Sequence, residues 1–166
     1  MTVIEFTNVR KSYRTHNVLK DMNFTINQGV LTGIIGRNGV GKTTLMKIIV
    51  GFIEESSGKV EVFSERPFNS LKVSANSILV DDAMNFPESM TLIDILKECN
   101  RFYENWDAGL AERLVNYFGY HTNARHRHLS KGKKSTFNAI IGISSRCALT
   151  IFDEPTTGMD SAVRKD

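Results

Sequence analysis

Cysteine is scarce: the chain of 166 residues has two, Cys99 and Cys147. They have no C-x-x-C spacing and no neighbouring His/Cys cluster. That argues against a zinc site and leaves free thiols, buried in a reducing compartment, as the expectation. Long apolar runs are lacking too, since none approaches the roughly 18 residues that would cross a bilayer. The N-terminus, Met1 to Glu5, lacks a basic-then-apolar export pattern. A protein made in the cytoplasm, not itself a membrane span but free to dock on one, is expected. Charge of one sign is also lacking: a formal net charge of +3 is too small to argue for nucleic acid. The basic run Arg125-His126-Arg127-His128, followed by Lys131, Lys133 and Lys134, has no interleaved aromatics for base stacking. It reads as a solvated face, and no nucleic-acid partner is expected. Internal repeats and low-complexity segments are missing as well.

What is present centres on Gly36-Arg37-Asn38-Gly39-Val40-Gly41-Lys42-Thr43-Thr44. Gly, four residues, then Gly-Lys-Thr is the Walker A pattern of a phosphate-cradling loop. Glycines let the backbone curl until successive N–H groups form a nest for anionic oxygens. Lys42 supplies a mobile positive charge for the β- and γ-phosphates, and Thr43 a hydroxyl for Mg²⁺. Leu31 to Ile35 reads as a short buried strand entering the loop. Leu45, Ile48, Ile49 and Phe52 follow at helical spacing. Strand, glycine loop and helix N-terminus together make an anion site. The four-residue spacing and the Gly-Lys-Thr ending exclude a dinucleotide fingerprint.

In chain order, Val3 to Val9 alternates and reads as a strand, with Lys11 to Arg14 as a polar turn carrying Tyr13. Met22, Phe24 and Ile26 alternate with polar residues as a half-buried antiparallel strand. Lys59 to Phe63 is a further strand, and Ile78 to Val80 a short apolar one ending at Asp81-Asp82. Thr91-Leu92-Ile93-Asp94 has a capping-box form. It opens a helix with Leu92, Ile95, Leu96, Cys99, Phe102 and Tyr103 along one face. Asp107 caps a second helix, with Leu110, Leu114, Val115 and Phe118 inward and Gly119 as its stop. A third starts near Ser130 and carries Phe137, Ile140 and Ile141. The expected fold class is α/β: a P-loop core of mixed sheet, an antiparallel N-terminal part and a helical insertion. One domain over 1–166 is expected: 1–82 antiparallel strands and phosphate loop, 83–146 helical, 147–166 the remainder of the core.

That remainder carries the second half of the chemistry. Cys147 to Phe152 runs apolar into Asp153-Glu154-Pro155 and reads as a fully buried parallel strand. It delivers Asp153 to the carboxyl edge of the sheet, where ligands bind in such folds. Asp153 suits Mg²⁺ as a Walker B acid, and Glu154 suits polarisation of the attacking water.

Taken together, these residues resemble the ATP-binding cassette (ABC) ATPase domains of membrane transporters. The resemblance covers essentially the whole chain. Leu129-Ser130-Lys131-Gly132-Lys133 resembles the family's Leu-Ser-Gly-Gly-Gln signature, and Thr157-Gly158-Met159-Asp160 its D-loop, with Asp160 as the acid. Tyr13 falls where the family places an aromatic that stacks on adenine. The Leu-Ser-Lys-Gly signature, Phe102 to Asp107 and Asp153 to Asp160 are similar to ATPase subunits of small Firmicutes exporters, often encoded beside GntR-type regulators. The resemblance implies ATP and Mg²⁺ as ligands, ATP hydrolysis with Glu154 as base, and a second ABC ATPase subunit as partner. It also implies integral membrane permease subunits and a place on the inner face of the cell membrane. The signature, Ser130 to Lys133, would then face ATP bound to the opposite subunit.

Three departures qualify that expectation. Lys131 and Lys133 replace the signature's first Gly and its Gln; Lys131 either complements the γ-phosphate or crowds it. The family's Gln at the entry to the helical insertion is missing, and Asp82 holds its place, as a Mg²⁺ ligand or as a plain loop acid. The switch histidine that the resemblance implies after the D-loop has no counterpart, because His16, His121, His126 and His128 all precede Asp153. A C-terminally truncated cassette is therefore expected, lacking the last core strand. A chain that binds nucleotide without turnover, and an ABC protein outside transport, are the alternatives.

Overall fold

Alternating apolar residues at the N-terminus build a hairpin. In a computed structural model that describes residues 1–154, β1 (Thr2–Tyr13) pairs antiparallel with β2 (His16–Asn27). The register sets Ile4 opposite Ile26, Phe6 opposite Phe24 and Val9 opposite Met22. The Phe6 and Phe24 rings stack with centroids 4.5 Å apart. Strict alternation after Ile4 and Phe6 would turn Asn8 inward. Instead the register shifts between Phe6 and Val9, and Asn8 takes a left-handed φ of 51°. Its N–H donates to Asn23 Oδ1 at 2.7 Å. This bulge returns Val9, fully buried, to the inner face. β3 (Ser57–Val62) pairs with the other edge of β1, giving the order β2-β1-β3.

Two further elements complete this first unit, Met1–Ser77. α1 (Lys42–Ile49) buries Leu45, Met46, Ile48 and Ile49. α2 (Leu71–Asn76) is capped by Ser70, whose hydroxyl accepts from the Val73 N–H at 3.2 Å.

The second unit begins at Ile78. β4 (Ser77–Val80) and β5 (Leu149–Phe152) form a two-stranded sheet, and the Asp153 N–H donates to the Val80 carbonyl at 2.9 Å. α3 (Leu92–Phe102) starts at the expected capping box, with the Thr91 and Asp94 side chains each bonding the other's backbone N–H. α4 (Ala108–Tyr117) is capped by Asp107, which accepts from the Leu110 N–H at 2.8 Å. The same carboxylate pairs with Arg146, and the Asp107 N–H reaches the Ser144 carbonyl, both at 2.8 Å. These bonds tie the start of α4 to the end of α5 (Lys131–Ser144). The core joins Ile78 and Val80 to Leu92, Ile95, Val115, Phe137, Ile140 and Ile141.

The structure corrects several sequence expectations. Leu31 to Ile35 form no strand; Leu31 and Ile35 are 100% and 99% exposed. A strand needs a ladder, and no described strand pairs with this segment. β5 is half-buried along its length rather than fully buried, because β4 is its one partner among the described residues. Lys11 to Tyr13 continue β1 instead of turning, since Ser12 and Tyr13 find partners in Asn17 and His16. Phe52 and Phe102 are exposed: the first lies past the end of α1, the second in the last turn of α3. Cys99 is a buried free thiol, as expected, and burial pushes its pKa up to about 12. Cys147 is only half-buried.

Gly142 sets the seating of α5. A Cβ there would lie 2.5 Å from Val80 Cγ2 and 3.2 Å from Phe152 Cε1. Ala for Gly in a helix interior normally gains about 1 kcal/mol. Overpacking a tight core costs about 1–3 kcal/mol, and stiff Val80 has little room to give. Gly142→Ala should therefore lower the midpoint of cooperative unfolding in denaturant. A raised midpoint would show that α5 does not rest on Val80 as described.

Candidate functional site

The phosphate loop ends at a helix start built by glycine. Gly41 is the N-cap of α1, with φ 101°. A Cβ on it would stand 2.7 Å from Val18 Cγ1 and 3.1 Å from Leu19 Cδ2 of β2. Left-handed backbone and close approach together demand glycine. No side chain caps α1, and its first turn holds no acidic residue. Its N-terminal N–H groups and the positive end of its dipole therefore face the loop without a built-in anion. The Lys42 ammonium curls back over the loop and donates to the carbonyls of Gly36 at 2.9 Å and Arg37 at 3.3 Å. The loop is closed on itself by the Val40 N–H to the Arg37 carbonyl, 3.3 Å. Gly36, Arg37, Asn38, Gly39 and Val40 are exposed, and so is Thr43; Gly41, Lys42 and Thr44 are half-buried.

Tyr13 stands at the end of β1, at the tip of the hairpin whose second strand touches Gly41. The residue is 48% exposed, and Lys11 Nζ lies 5.0 Å from the ring centroid. An aromatic face open to solvent, with a cation already on it, suits stacking on a flat heterocycle.

In the second unit, β5 delivers Asp153 and Glu154 just past its end. Asp153 is held through its backbone to Val80; Glu154 is exposed and takes a left-handed φ of 50°. Such a conformation is costly for a residue with a side chain and belongs where geometry is enforced. The Ser130 hydroxyl caps α5, accepting from the Lys133 N–H at 3.3 Å. Lys131 and Lys133 are exposed and Gly132 is half-buried. Asp82 is paired with Lys131 at 2.9 Å. The predicted acid Asp160 lies outside the described residues. Among the described residues no cluster of three or more His, Cys, Asp or Glu could hold a metal. Mg²⁺ asks for less: one or two carboxylate or hydroxyl oxygens alongside phosphates and water. Thr43 and Asp153 are donors of that kind.

The sequence reading missed His126. It lies in a 3₁₀ turn, His126–His128, within the basic run read as a solvated face, and is 4% exposed. Its Nε2 lies 3.1 Å from Asn138 Oδ1, and Asn138 Nδ2 donates to the Met84 carbonyl at 3.3 Å. Because the Asn138 amide donates onward, its oxygen accepts, and neutral His126 carries its proton on Nε2. Phe86 packs edge-on against the ring at 5.0 Å. No periodicity marked this residue; the aromatics that bury it lie far away in sequence.

Burial holds the His126 pKa below 6.5; the Asn138 bond opposes this, and the charge of Lys134 adds to it. The folded chain thus binds fewer protons than the unfolded one as pH drops through 6.5. Stability is full above that value and declines below it, with the loss complete once pH passes the folded pKa. Asp94 and Asp107 have pKa values lowered from 3.8 and so act at more acidic pH. Denaturant midpoints measured from pH 7.5 to 5 should fall, and His126→Gln should flatten that fall. An unchanged slope in the variant would refute the assignment.

A family profile described as ABC transporter matches residues 19–157. The ABC transporter ATP-binding protein YtrB of Bacillus subtilis (strain 168) is 33% identical over 167 residues, covering 99% of this chain and 56% of that protein. The bacitracin transport ATP-binding protein BcrA of Bacillus licheniformis is 26% identical over 162 residues, covering 96% of this chain and 53% of the relative. The chain thus spans about half the length of these curated relatives. A solved ATP-binding subunit of an ABC transporter superposes with a TM-score of 0.85 at 24% identity, over 99% of this chain and 71% of the other. A nucleotide-free ATP-binding cassette from an ABC transporter gives 0.75 at 19% identity, over 99% and 73%. At such identities the structures speak for the fold alone, and the fold is the α/β one expected.

Proposed function

The chain belongs to the ABC transporter family, and from that membership we propose that it binds and hydrolyses ATP to energise separate membrane subunits. The observation that carries this reading is the Lys42 ammonium poised over an exposed glycine loop at an uncapped, acid-free helix start. That combination of N–H groups, dipole and cation suits an anion.

Gly36 to Thr44 cradle the phosphates and Tyr13 stacks on the base. Thr43 and Asp153 would each offer an oxygen to Mg²⁺, which when bound would neutralise charge on the phosphate oxygens. Glu154 orients the water for in-line attack on the γ-phosphorus and takes its proton. Lys42 compensates the charge that spreads over the phosphoryl oxygens. Ser130 to Lys133 face the nucleotide of a second ATP-binding subunit, so each site is completed in trans. Two such subunits close on ATP and pass the motion to integral permease subunits. Among the described residues no helix is long and apolar enough to cross a membrane. A position on the cytoplasmic face of the membrane follows from this partnership.

Two substitutions separate binding from chemistry. Lys42→Ala should weaken ATP binding at least about tenfold, as a lost charge-assisted bond implies. Glu154→Gln should keep ATP binding but lower turnover by about 10²–10⁴-fold, the range for a general base. Equilibrium binding of a fluorescent ATP analogue and release of inorganic phosphate read the two effects. Wild-type turnover in the Glu154→Gln chain would remove that residue from its role.

A further inference from the structure

Two positions that depart from the family pattern meet each other in space. Lys131 Nζ lies 2.9 Å from Asp82 Oδ2. Each explains the other's presence. α5 opens with Lys131, and Lys133 and Lys134 follow within its first turn, which holds no acidic residue. That is the reverse of what the positive end of a helix favours. Asp82, in the loop after β4, brings the missing carboxylate. A second tie joins the same loop to the same helix, because Asn138 donates to the Met84 carbonyl at 3.3 Å. Between the ties lies a cavity of about 290 Å³ lined by Asp82, Met84, Asn85, Lys131, Lys134 and Asn138.

The two ties differ in kind. Asn138 is 3% exposed and is held from its other side by His126, so that tie is the better shielded from water. The ion pair is open to water, with side chains 63% and 53% exposed for Lys131 and Asp82. Such pairs are weak and readily exchanged. Lys131 follows directly on the Ser130 cap, in the segment that the ATPase reading turns toward nucleotide.

We propose that Lys131 exchanges partners. It pairs with Asp82 while no nucleotide faces it, and passes to the terminal phosphate of an ATP held by a second copy of this chain. Asp82 is then a positioning residue, not a Mg²⁺ ligand. It competes with phosphate for one ammonium and so sets how much ATP is needed to bring two copies together. Release of the pair frees the loop at Asp82 while the Asn138 tie keeps Met84 in place. This inference rests on the ATPase reading above.

The test is dimerisation of the full chain against a non-hydrolysable ATP analogue, followed by sedimentation velocity, with analogue binding measured in parallel. Asp82→Asn should lower the half-maximal analogue concentration for dimerisation about two- to five-fold, the range an exposed pair allows. The paired swap Asp82→Lys with Lys131→Glu should keep the unfolding midpoint of the parent but abolish analogue-driven dimerisation, since a carboxylate would meet the phosphate. Asp82→Asn titrating as the parent does would overturn the competition. A swapped chain that still dimerises would overturn the transfer to phosphate. A parent that binds the analogue yet stays monomeric overturns the exchange but not the phosphate site. A parent that binds no analogue overturns both readings.

Discussion

Because Gly142 has no side chain, α5 rests directly against Val80 and Phe152. Much of what the second unit presents depends on that contact. The start of α5 is Ser130 to Lys133, the end of β5 is Asp153 and Glu154, and the end of β4 leads into Asp82. One close approach therefore fixes a signature-like helix start, an acid pair and a loop acid in a common frame. The hydrogen bond from the Asp153 N–H to Val80 adds the complementary restraint along the strands. The polar chain from His126 through Asn138 to Met84 extends the frame to the loop beyond β4. Breaking a partly buried network of this kind leaves its remaining members unsatisfied, so the links stand or fall together.

The first unit solves a different problem with the same economy of side chains. A hairpin must keep its apolar face continuous while carrying an aromatic at its tip and a glycine loop at its flank. The bulge at Asn8 restores Val9 to the core, and β1 runs on to Tyr13 through two further register shifts. Val18 and Leu19 of β2 then close on Gly41 so tightly that nothing larger fits. The phosphate loop and the exposed tyrosine are thus both placed by one hairpin, Tyr13 at its tip and Gly41 against its second strand.

Local signals were legible where they were self-sufficient. Thr91 with Asp94, Asp107, Gly119 and Ser130 announced their helix ends because a cap is made by residues a turn apart. The alternation of Met22, Phe24 and Ile26 announced β2 for the same reason. The Gly-Lys-Thr pattern at Gly41 to Thr43 stood out because it is contiguous, and Gly41 does open α1. What the sequence hid depends on partners far along the chain. Leu31 to Ile35 has a strand's composition, yet apolar character does not make a strand without a ladder. α2 was overlooked, though Ser70 marks its start with an ordinary cap. His126 looked like one more charge in a basic run, and only Phe86, Phe137 and Asn138 reveal it as core. Lys131 and Asp82 each read as a lone departure until the structure set them side by side.

The folded-back Lys42 has one more consequence. A free lysine side chain holds about 2 kcal/mol of rotamer entropy, and a ligand that must gather it from solvent works against that freedom. Here Gly36 and Arg37 have already narrowed its conformers through their carbonyls. The ordering belongs to folding, before any phosphate arrives. An anion reaching this loop would meet a cation whose conformers are already narrowed, so less of its binding free energy would go into ordering the side chain.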